Sequence, residues 1–318
     1  MRGDIMTNKS SNLIWENADN YYDFEERRII LFRDDMQEQF FRWFRIKPSD
    51  YILDGGCATG SLTRCIGKGL STGSIIGFEI SQTYVDIGNQ KIAYEGLSDR
   101  VKIVREDGFS LSFADNTFDA VISHTYLGVL SDVKAGLSEL IRVCKPGGNI
   151  SASCSTRNWK GNNWAGDNPF MRQVRLNELN DKFENTQKIV FPNEVYSPAA
   201  YKQDEYWITE RYPRLFAKCG LQNIAIHPYA SGFSYNDSYW TDDVKIRKIR
   251  SDTERNIQKF IEERKNPLYV QNGFTQEDFD ELIELNRQKQ EFLSTNLNNE
   301  DCWEWYTSLH MIITGTKS

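Results

Sequence analysis

The sequence predicts an α/β fold built on a doubly wound, mostly parallel sheet, and three observations support that prediction. Short apolar segments alternate with amphipathic segments from residue 51 onward, the pattern of strands connected by helices. The first apolar segment runs into a turn containing Gly55, Gly56 and Gly60. Acidic residues end the first strands, and in open parallel sheets these strand ends form the ligand crevice.

The predicted elements follow one another in a regular order. Residues 15–44 precede the sheet and have the apolar spacing of a helix. The predicted strands are 51–54, 74–80, 101–106, 118–123, 149–154, 221–229 and 303–315. The predicted helices between them are 60–69, 82–95, 131–144 and 206–219.

Two long segments interrupt this alternation, at about residues 157–205 and 231–302. The second contains two charged amphipathic stretches, near 241–265 and 275–294, which we predict to be helices. Long insertions in a compact domain are usually lids or binding segments, so we expect both to cover a substrate. The predicted organisation is a helical cap over 1–45, a ligand-binding core over 46–156, and a remainder over 157–318 that completes the sheet and carries these helical lid inserts.

Composition excludes several classes of protein. Of 318 residues, 39% are hydrophobic and 13% aromatic, enough to fill a core, which excludes wholesale disorder. The mean hydropathy of −0.58 and the lack of a long apolar segment argue against a membrane protein. Since the N-terminus has no apolar signal region, we expect a soluble, cytoplasmic protein. Six scattered cysteines without a CxxC pair predict reduced thiols rather than disulfides.

The most informative motif is Asp54-Gly55-Gly56-Cys57-Ala58-Thr59-Gly60, between the first strand and the first helix of the sheet. Glycine allows the backbone to approach a ligand, and the start of the following helix favours a polar or anionic group. The spacing differs from the GxGxxG pattern of dinucleotide dehydrogenases.

This pattern resembles motif I of the class I S-adenosylmethionine-dependent methyltransferases, with Ala58 where the middle glycine normally stands. Companion segments in the same order strengthen the resemblance. Glu79 ends the second strand and Asp107 follows the third, while the fourth begins with Phe-Asp-Ala-Val at 118–121. The segment 137–148 looks like the family's helix and Lys-Pro-Gly-Gly turn, so the resemblance covers residues 51–155.

The resemblance implies a seven-stranded sheet of order 3-2-1-4-5-7-6 with an antiparallel last strand, 221–229 being strand six and 303–315 strand seven. It implies S-adenosyl-L-methionine as cofactor and S-adenosyl-L-homocysteine as product. Glu79 would bind the ribose hydroxyls and Asp107 would lie near the adenine amino group. The predicted cofactor-binding residues are Asp54, Gly55, Gly56, Cys57, Gly60, Glu79, Ile80, Asp107, Gly108, Ser123 and Tyr22.

His124 and Tyr126, just after the fourth strand, are the candidate catalytic residues facing the acceptor. His124 is interpreted either as a general base or as a hydrogen-bonded spacer, and Tyr126 either lines the acceptor site or fills the crevice wall. His227 and His310 fall on the last two strands, where core histidines are favoured over a metal site. No metal is expected.

These features favour a methyltransferase acting on a small organic acceptor. The alternatives are a methyltransferase acting on protein or RNA, and a non-catalytic cofactor-binding sensor. The net charge of −7 argues against a nucleic-acid partner, and no membrane partner is expected. The helical inserts could also form a homodimer interface. The one basic run, residues 245–250, is expected on a solvated helix face.

Overall fold

Two compact units make up the computed structural model, which describes Glu25 and residues 28–155, 163–166, 173–191, 209–299 and 304–318. The first unit takes the described parts of 1–160, 199–231 and 308–318, and the second takes those of 161–198 and 232–307.

The described residues form strands and helices at the following positions. The strands are β1 (Tyr51–Gly55), β2 (Ser74–Glu79), β3 (Val101–Arg105), β4 (Phe118–His124), β5 (Cys144–Ser155), β6 (Asn163–Gly166), β7 (Gln222–Ser234) and β8 (Glu304–Thr316). The α-helices are α1 (Gln37–Phe44), α2 (Ser61–Lys68), α3 (Gln82–Tyr94), α4 (Val133–Val143), α5 (Val174–Val190), α6 (Tyr212–Lys218), α7 (Asp242–Glu263), α8 (Pro267–Gln271) and α9 (Gln276–Thr295).

The sheet of the first unit has the order β3-β2-β1-β4-β5-β8, and β7 pairs with β8. Strands β1 to β5 pair in parallel, whereas β8 runs antiparallel to β5. With β7 as strand six and β8 as strand seven, the predicted order 3-2-1-4-5-7-6 is confirmed.

Alternation along the central strands places a hydrophobic core on each face of this sheet. Ile52 and Ile122 belong to one core, with Phe40 and Phe44 of α1. The neighbouring Leu53 and Val121 belong to the other, with Leu137 and Leu140 of α4. Because helices cover both faces, these strands are continuous apolar runs, which explains why the sequence identifies them.

Three predicted boundaries are wrong. The helix predicted over 15–44 is interrupted in its described part, where Arg33 is extended (φ −68°, ψ 139°) and a 3₁₀ turn at Asp34–Met36 precedes α1. Strand β5 begins at Cys144 instead of 149, because Gly147 and Gly148 pair with the backbone of Lys317. Strand β7 continues to Ser234, five residues beyond the predicted end.

The second unit is built from α5, α7, α8 and α9, with β6 pairing antiparallel to the first residues of β8. Its own core includes Leu179, Phe183, Phe260, Phe279 and Leu282. Helices α7 and α9 confirm the two predicted in the second insert. Helix α5 was not predicted, although its buried residues recur at helical spacing within a polar segment. That these segments cover a substrate stays a prediction.

The basic run on α7 does not form the solvated face that was expected. Lys245 and Lys248 are only 1% and 3% exposed. Lys245 donates to Oδ1 of Asn298 at 2.6 Å, and Lys248 pairs with Asp252. Long lysine stems bury against neighbouring helices when the ammonium finds a polar partner, which residue spacing alone cannot reveal.

The five described cysteines are free thiols, and none of the described helices is long and apolar enough to cross a membrane.

Candidate active site

The loop between β1 and α2 is held close to the neighbouring strands. Gly56 and Gly60 have φ of +62° and +81°, a region that favours glycine. A Cβ at Gly56 would lie 2.4 Å from Cδ2 of Tyr126, and one at Gly60 would lie 2.6 Å from Cδ1 of Ile103. Both positions therefore require glycine for conformation and for space.

Asp54 lies buried at the carboxyl end of β1, 1% exposed. Its Oδ2 accepts a hydrogen bond from Oγ1 of Thr63 at 2.7 Å. Burial raises the pKa of Asp54 to about 7, although the Thr63 hydrogen bond and the charge of Arg28 act in the opposite direction. A carboxyl group held in this way can change its charge near neutral pH.

Glu79 ends β2 and connects that strand to the glycine loop. Its Oε2 accepts from the backbone N–H of Ala58 at 3.0 Å, and its Oε1 accepts from those of Ile80 and Ser81 at 2.8 and 3.1 Å. Burial raises the pKa of the Glu79 carboxyl, with these three hydrogen bonds opposing the shift. The predicted cofactor residue Glu79 is thus joined directly to the loop, and Ile80 is connected to it only through the Glu79 carboxylate.

Asp107 and Gly108 follow β3. The Asp107 side chain is exposed and its Oδ1 accepts from the backbone N–H of Phe109 at 2.9 Å. Gly108 is buried, and a Cβ there would lie 1.8 Å from the hydroxyl oxygen of Tyr126. Glycine is required at 108 because the tyrosine fills the space.

The remaining predicted cofactor residues are dispersed around this loop. Gly55 ends β1 in register with Ser123 of β4, whose Oγ lies 3.5 Å from the carbonyl oxygen of Ser151. The Cys57 thiol is buried, and burial together with the charges of Asp54 and Glu79 raises its pKa well above the usual value. Tyr22 lies outside the described residues.

His124 is buried on the sheet face that carries α1. Its Nδ1 lies 2.7 Å from Oγ of Ser153, its ring meets Phe32 edge to face at 4.9 Å, and the ring of His310 is centred 6.2 Å away. Burial, the charge of Arg28 and the neighbouring His310 together lower the pKa of His124 well below its usual value. The imidazole is therefore neutral at physiological pH.

The structure does not bring Tyr126 together with His124. Thr125 between them has φ +56°, unusual for a β-branched residue, and this reverses the alternation of side chains. The Tyr126 ring lies against Gly56 and Phe78, in the core on the opposite face from the rings around His124. Its hydroxyl is buried without a hydrogen-bond partner among the described residues.

Glu25 contacts the candidate site, although the sequence did not identify it. Its carboxylate accepts from Oγ1 of Thr59 at 2.5 Å and from Oγ of Ser61 at 3.1 Å, and it pairs with Arg64 and Lys91. Burial raises the pKa of Glu25, but the charges of Arg64 and Lys91 outweigh it and lower the pKa overall. Glu25 thereby ties the N-terminal segment to the glycine loop.

Arg28, three residues later, was also missed. Its Nη2 donates to Oγ1 of Thr125 at 3.0 Å. Its charge opposes the rise that burial causes in the pKa of Asp54 and Glu79, and it contributes to the lowered pKa of His124. The signal was a run of four charged residues, 25–28, within the segment predicted as the cap helix.

The two C-terminal histidines occupy separate environments. Nε2 of His310 lies 3.0 Å from Oγ of Ser231, and the His310 ring stacks on that of Tyr229 with 5.0 Å between the ring centroids. His227 is partly buried near Arg45. Among the described residues, no three His, Cys, Asp or Glu side chains form a group that could hold a metal ion.

Residues 52–148 match the model of a family described as "Methyltransferase domain". This segment is therefore similar to methyltransferase domains. The match begins in β1 and ends in the turn of β5, so it contains the glycine loop, Asp54, Glu79 and Asp107 of the site described above.

Curated relatives match over the same part of the chain. The chain is 36% identical over 108 residues to a demethylmenaquinone methyltransferase of Bacteroides fragilis, covering 34% of this chain and 44% of that protein. A demethylmenaquinone methyltransferase of Lactobacillus johnsonii is 30% identical over 115 residues, covering 36% and 47%. The chain thus spans less than half the length of these relatives.

Among solved structures, the YcgJ protein of Bacillus subtilis has a TM-score of 0.46 and 13% identity to this chain, covering 90% of this chain and 99% of that one.

Proposed function

We propose that this chain is an S-adenosylmethionine-dependent methyltransferase that transfers a methyl group to a small organic acceptor. One arrangement carries the proposal. The carboxylate of Glu79 is hydrogen-bonded to the glycine loop at Ala58, beside the buried Asp54 on the adjacent parallel strand. The arrangement lies inside a methyltransferase domain.

The residues present fit the cofactor. A carboxylate offers about four acceptor positions, and backbone N–H groups occupy three on Glu79. One position remains for a hydroxyl donor such as a ribose. Among the hydrogen bonds of the described residues, the Asp54 side chain accepts only at Oδ2, from Thr63. Its Oδ1 is therefore left for a second donor. Asp107 is exposed at the next strand end, where an adenine amino group could reach it.

The chain itself contributes positioning rather than covalent chemistry. When bound, the cofactor supplies an electrophilic methyl group on a sulfonium, and alignment with the acceptor accounts for most of the rate. Ser153 fixes the ring of His124 through Nδ1, which leaves Nε2 for the acceptor. Since its low pKa keeps the imidazole neutral, His124 can accept a hydrogen bond from the acceptor without charging.

The names of the two bacterial relatives support a small acceptor, since both specify a small molecule, demethylmenaquinone. Around His124 itself, the rings of Phe32, Phe40 and Tyr229 belong to the buried core on the sheet face that carries α1. These rings hold the imidazole in place.

Titration calorimetry of the purified chain against S-adenosylmethionine, S-adenosylhomocysteine and NADH tests the proposal. We expect micromolar binding of the first two and none of NADH. Glu79→Ala should weaken binding at least tenfold, because it removes the carboxylate that organises the loop. His124→Ala should bind the cofactor normally and lower turnover once an acceptor is found.

Binding of NADH alone, or of no nucleotide, would overturn the proposed function. If His124→Ala retains full turnover, His124 has no role toward the acceptor.

A further inference from the structure

The backbone of Thr125, the residue that follows β4, is strained. Its φ is +56°, and among the described non-glycine residues with positive φ it is the only one with a β-branched side chain. Such a side chain strongly disfavours the left-handed region, so the conformation persists only where neighbouring contacts fix it. Strained residues of this kind cluster at functional sites, and Thr125 lies between the candidate catalytic residues His124 and Tyr126.

Hydrogen bonds hold Thr125 in this conformation. Its N–H donates to the carbonyl oxygen of Ser153 at 2.7 Å, and its hydroxyl donates to the carbonyl oxygen of His124 at 2.7 Å. The same hydroxyl accepts from Nη2 of Arg28 at 3.0 Å. Ser153 also fixes the neighbouring imidazole, since its Oγ lies 2.7 Å from Nδ1 of His124. The strained residue and the histidine thus share one anchor on β5.

The left-handed backbone of Thr125 decides where the two flanking side chains lie. Along an extended strand, His124 and Tyr126 would lie on the same face of the sheet. Instead, the His124 ring lies with the core that α1 covers, and the Tyr126 ring lies with the core on the opposite face. There Tyr126 fills the space beside Gly56 and Gly108, where a Cβ would lie 2.4 and 1.8 Å from atoms of the tyrosine.

We propose that Thr125 is a positioning residue, whose left-handed backbone holds the His124 imidazole and the Tyr126 ring on opposite faces of the sheet. This inference rests on the proposed function, in which His124 meets the acceptor and the turns at Gly56 and Gly108 hold the cofactor. An extended backbone at Thr125 would return Tyr126 to the face of His124, and both glycine turns would lose the ring packed against them. One residue therefore couples the cofactor turns to the histidine.

The alternative is that only the hydroxyl of Thr125 matters, as a hydrogen-bonding group. Two substitutions separate these roles. Thr125→Val removes the hydroxyl and keeps a β-branched side chain, so the left-handed backbone loses its support. Thr125→Gly also removes the hydroxyl, but glycine adopts a φ of +56° without strain. Both variants lose the same side-chain hydrogen bonds and differ in whether the backbone can stay left-handed.

Thr117→Val is the matched control at the other end of β4. The Thr117 hydroxyl donates to the carbonyl oxygen of Ala114 at 2.6 Å, and Thr117 is not among the residues with positive φ. The control therefore loses a comparable hydrogen bond from an unstrained backbone.

Two measurements are made on each variant. Calorimetry gives the dissociation constant of S-adenosylhomocysteine, and NMR of the unliganded protein gives the imidazole signals of its three histidines. The His124 signal is assigned from its loss in His124→Ala. Since the His124 ring meets Phe32 edge to face at 4.9 Å, its signals report any movement of the imidazole.

We expect Thr125→Val to weaken S-adenosylhomocysteine binding about tenfold and to move the His124 signals, because relief of the backbone strain displaces both flanking rings. Thr125→Gly should retain binding within about threefold of the wild type and leave the His124 signals in place. Thr117→Val should match the wild type in both measurements.

Equal weakening by Thr125→Val and Thr125→Gly, or weakening by neither, would overturn the positioning role and leave the proposed function intact. If Thr125→Val does not fold, Thr125→Ala takes its place, because alanine also lacks the hydroxyl and its Cβ also disfavours a positive φ. Equal binding by Thr125→Ala and Thr125→Gly then gives the same negative answer. A wild type that binds no S-adenosylhomocysteine overturns the proposed function and this inference together.

Discussion

Ala58 occupies a backbone conformation that favours glycine. Its φ is +49°, in the left-handed region that glycine adopts without penalty. A non-glycine residue there costs roughly 1–2 kcal/mol. The strain is tolerated because the N–H of Ala58 donates to Glu79, which fixes the loop.

We expect Ala58→Gly to raise the free energy of unfolding by about 1 kcal/mol, since relief of the backbone strain exceeds the added flexibility of the unfolded chain. Urea denaturation of the unliganded protein measures the change. Ala135→Gly, in α4, provides the matched control and should lower the same quantity, because helical backbone gains nothing from glycine. A loss of stability in Ala58→Gly would contradict the strain at this position.

At the scale of elements, the N-terminal segment is attached to the glycine loop by charge rather than by continued helix. The backbone breaks at Arg33, and the helix resumes only at α1. Before this break, the side chain of Glu25 connects the N-terminal segment to the glycine loop and α2, through Thr59, Ser61 and Arg64.

Glu25→Gln should lower the free energy of unfolding by about 2–3 kcal/mol, because it leaves Arg64 with less compensation in a buried site. Hydrogen exchange of the amides at 57–64 should accelerate. Because the pKa of Glu25 is lowered on folding, its contribution is present above its usual pKa and is lost at lower pH, so the difference from the wild type should shrink in acid.

The exposed Glu38 of α1 serves as the control for that experiment. Glu38→Gln should leave both the stability and the exchange of 57–64 unchanged. If Glu25→Gln behaves in the same way, the bridge contributes nothing to the loop.

On the scale of the molecule, buried titratable groups act on stability in opposite directions. Burial raises the pKa of Asp54 to about 7, so Asp54 binds a proton more readily in the folded protein than in the unfolded chain. Its contribution to the free energy of unfolding therefore declines as pH rises toward 7. Burial lowers the pKa of His310 to about 4, so the unfolded chain takes up the proton first and stability falls as pH drops below about 6.5.

Comparison of the wild type with His310→Asn isolates the histidine contribution, since Asp54 is present in both proteins. Between pH 7 and pH 5 the wild type should lose about 2 kcal/mol more than the variant. Urea denaturation at the two pH values measures it. Equal losses would show that His310 keeps an ordinary pKa in the folded protein.

Sequence by itself determined the sheet and the glycine loop of this protein. Strands that are covered on both faces are continuous apolar runs, and a turn whose backbone adopts positive φ favours glycine at those positions. Both features can therefore be recognised in a short segment of sequence. The helices α7 and α9 were predictable for the same reason, from spacing within one segment.

Only the tertiary structure decided which distant side chains meet. Glu25 and Arg28 reach the crevice from a segment whose sequence predicts an uninterrupted helix, and a single left-handed residue, Thr125, sends Tyr126 to the opposite face from His124. Burial of Lys245 and Lys248 likewise depends on packing among helices. Local sequence encodes backbone preference and hydrophobic period, whereas charge pairing and side-chain direction at a break depend on contacts between residues far apart in the chain.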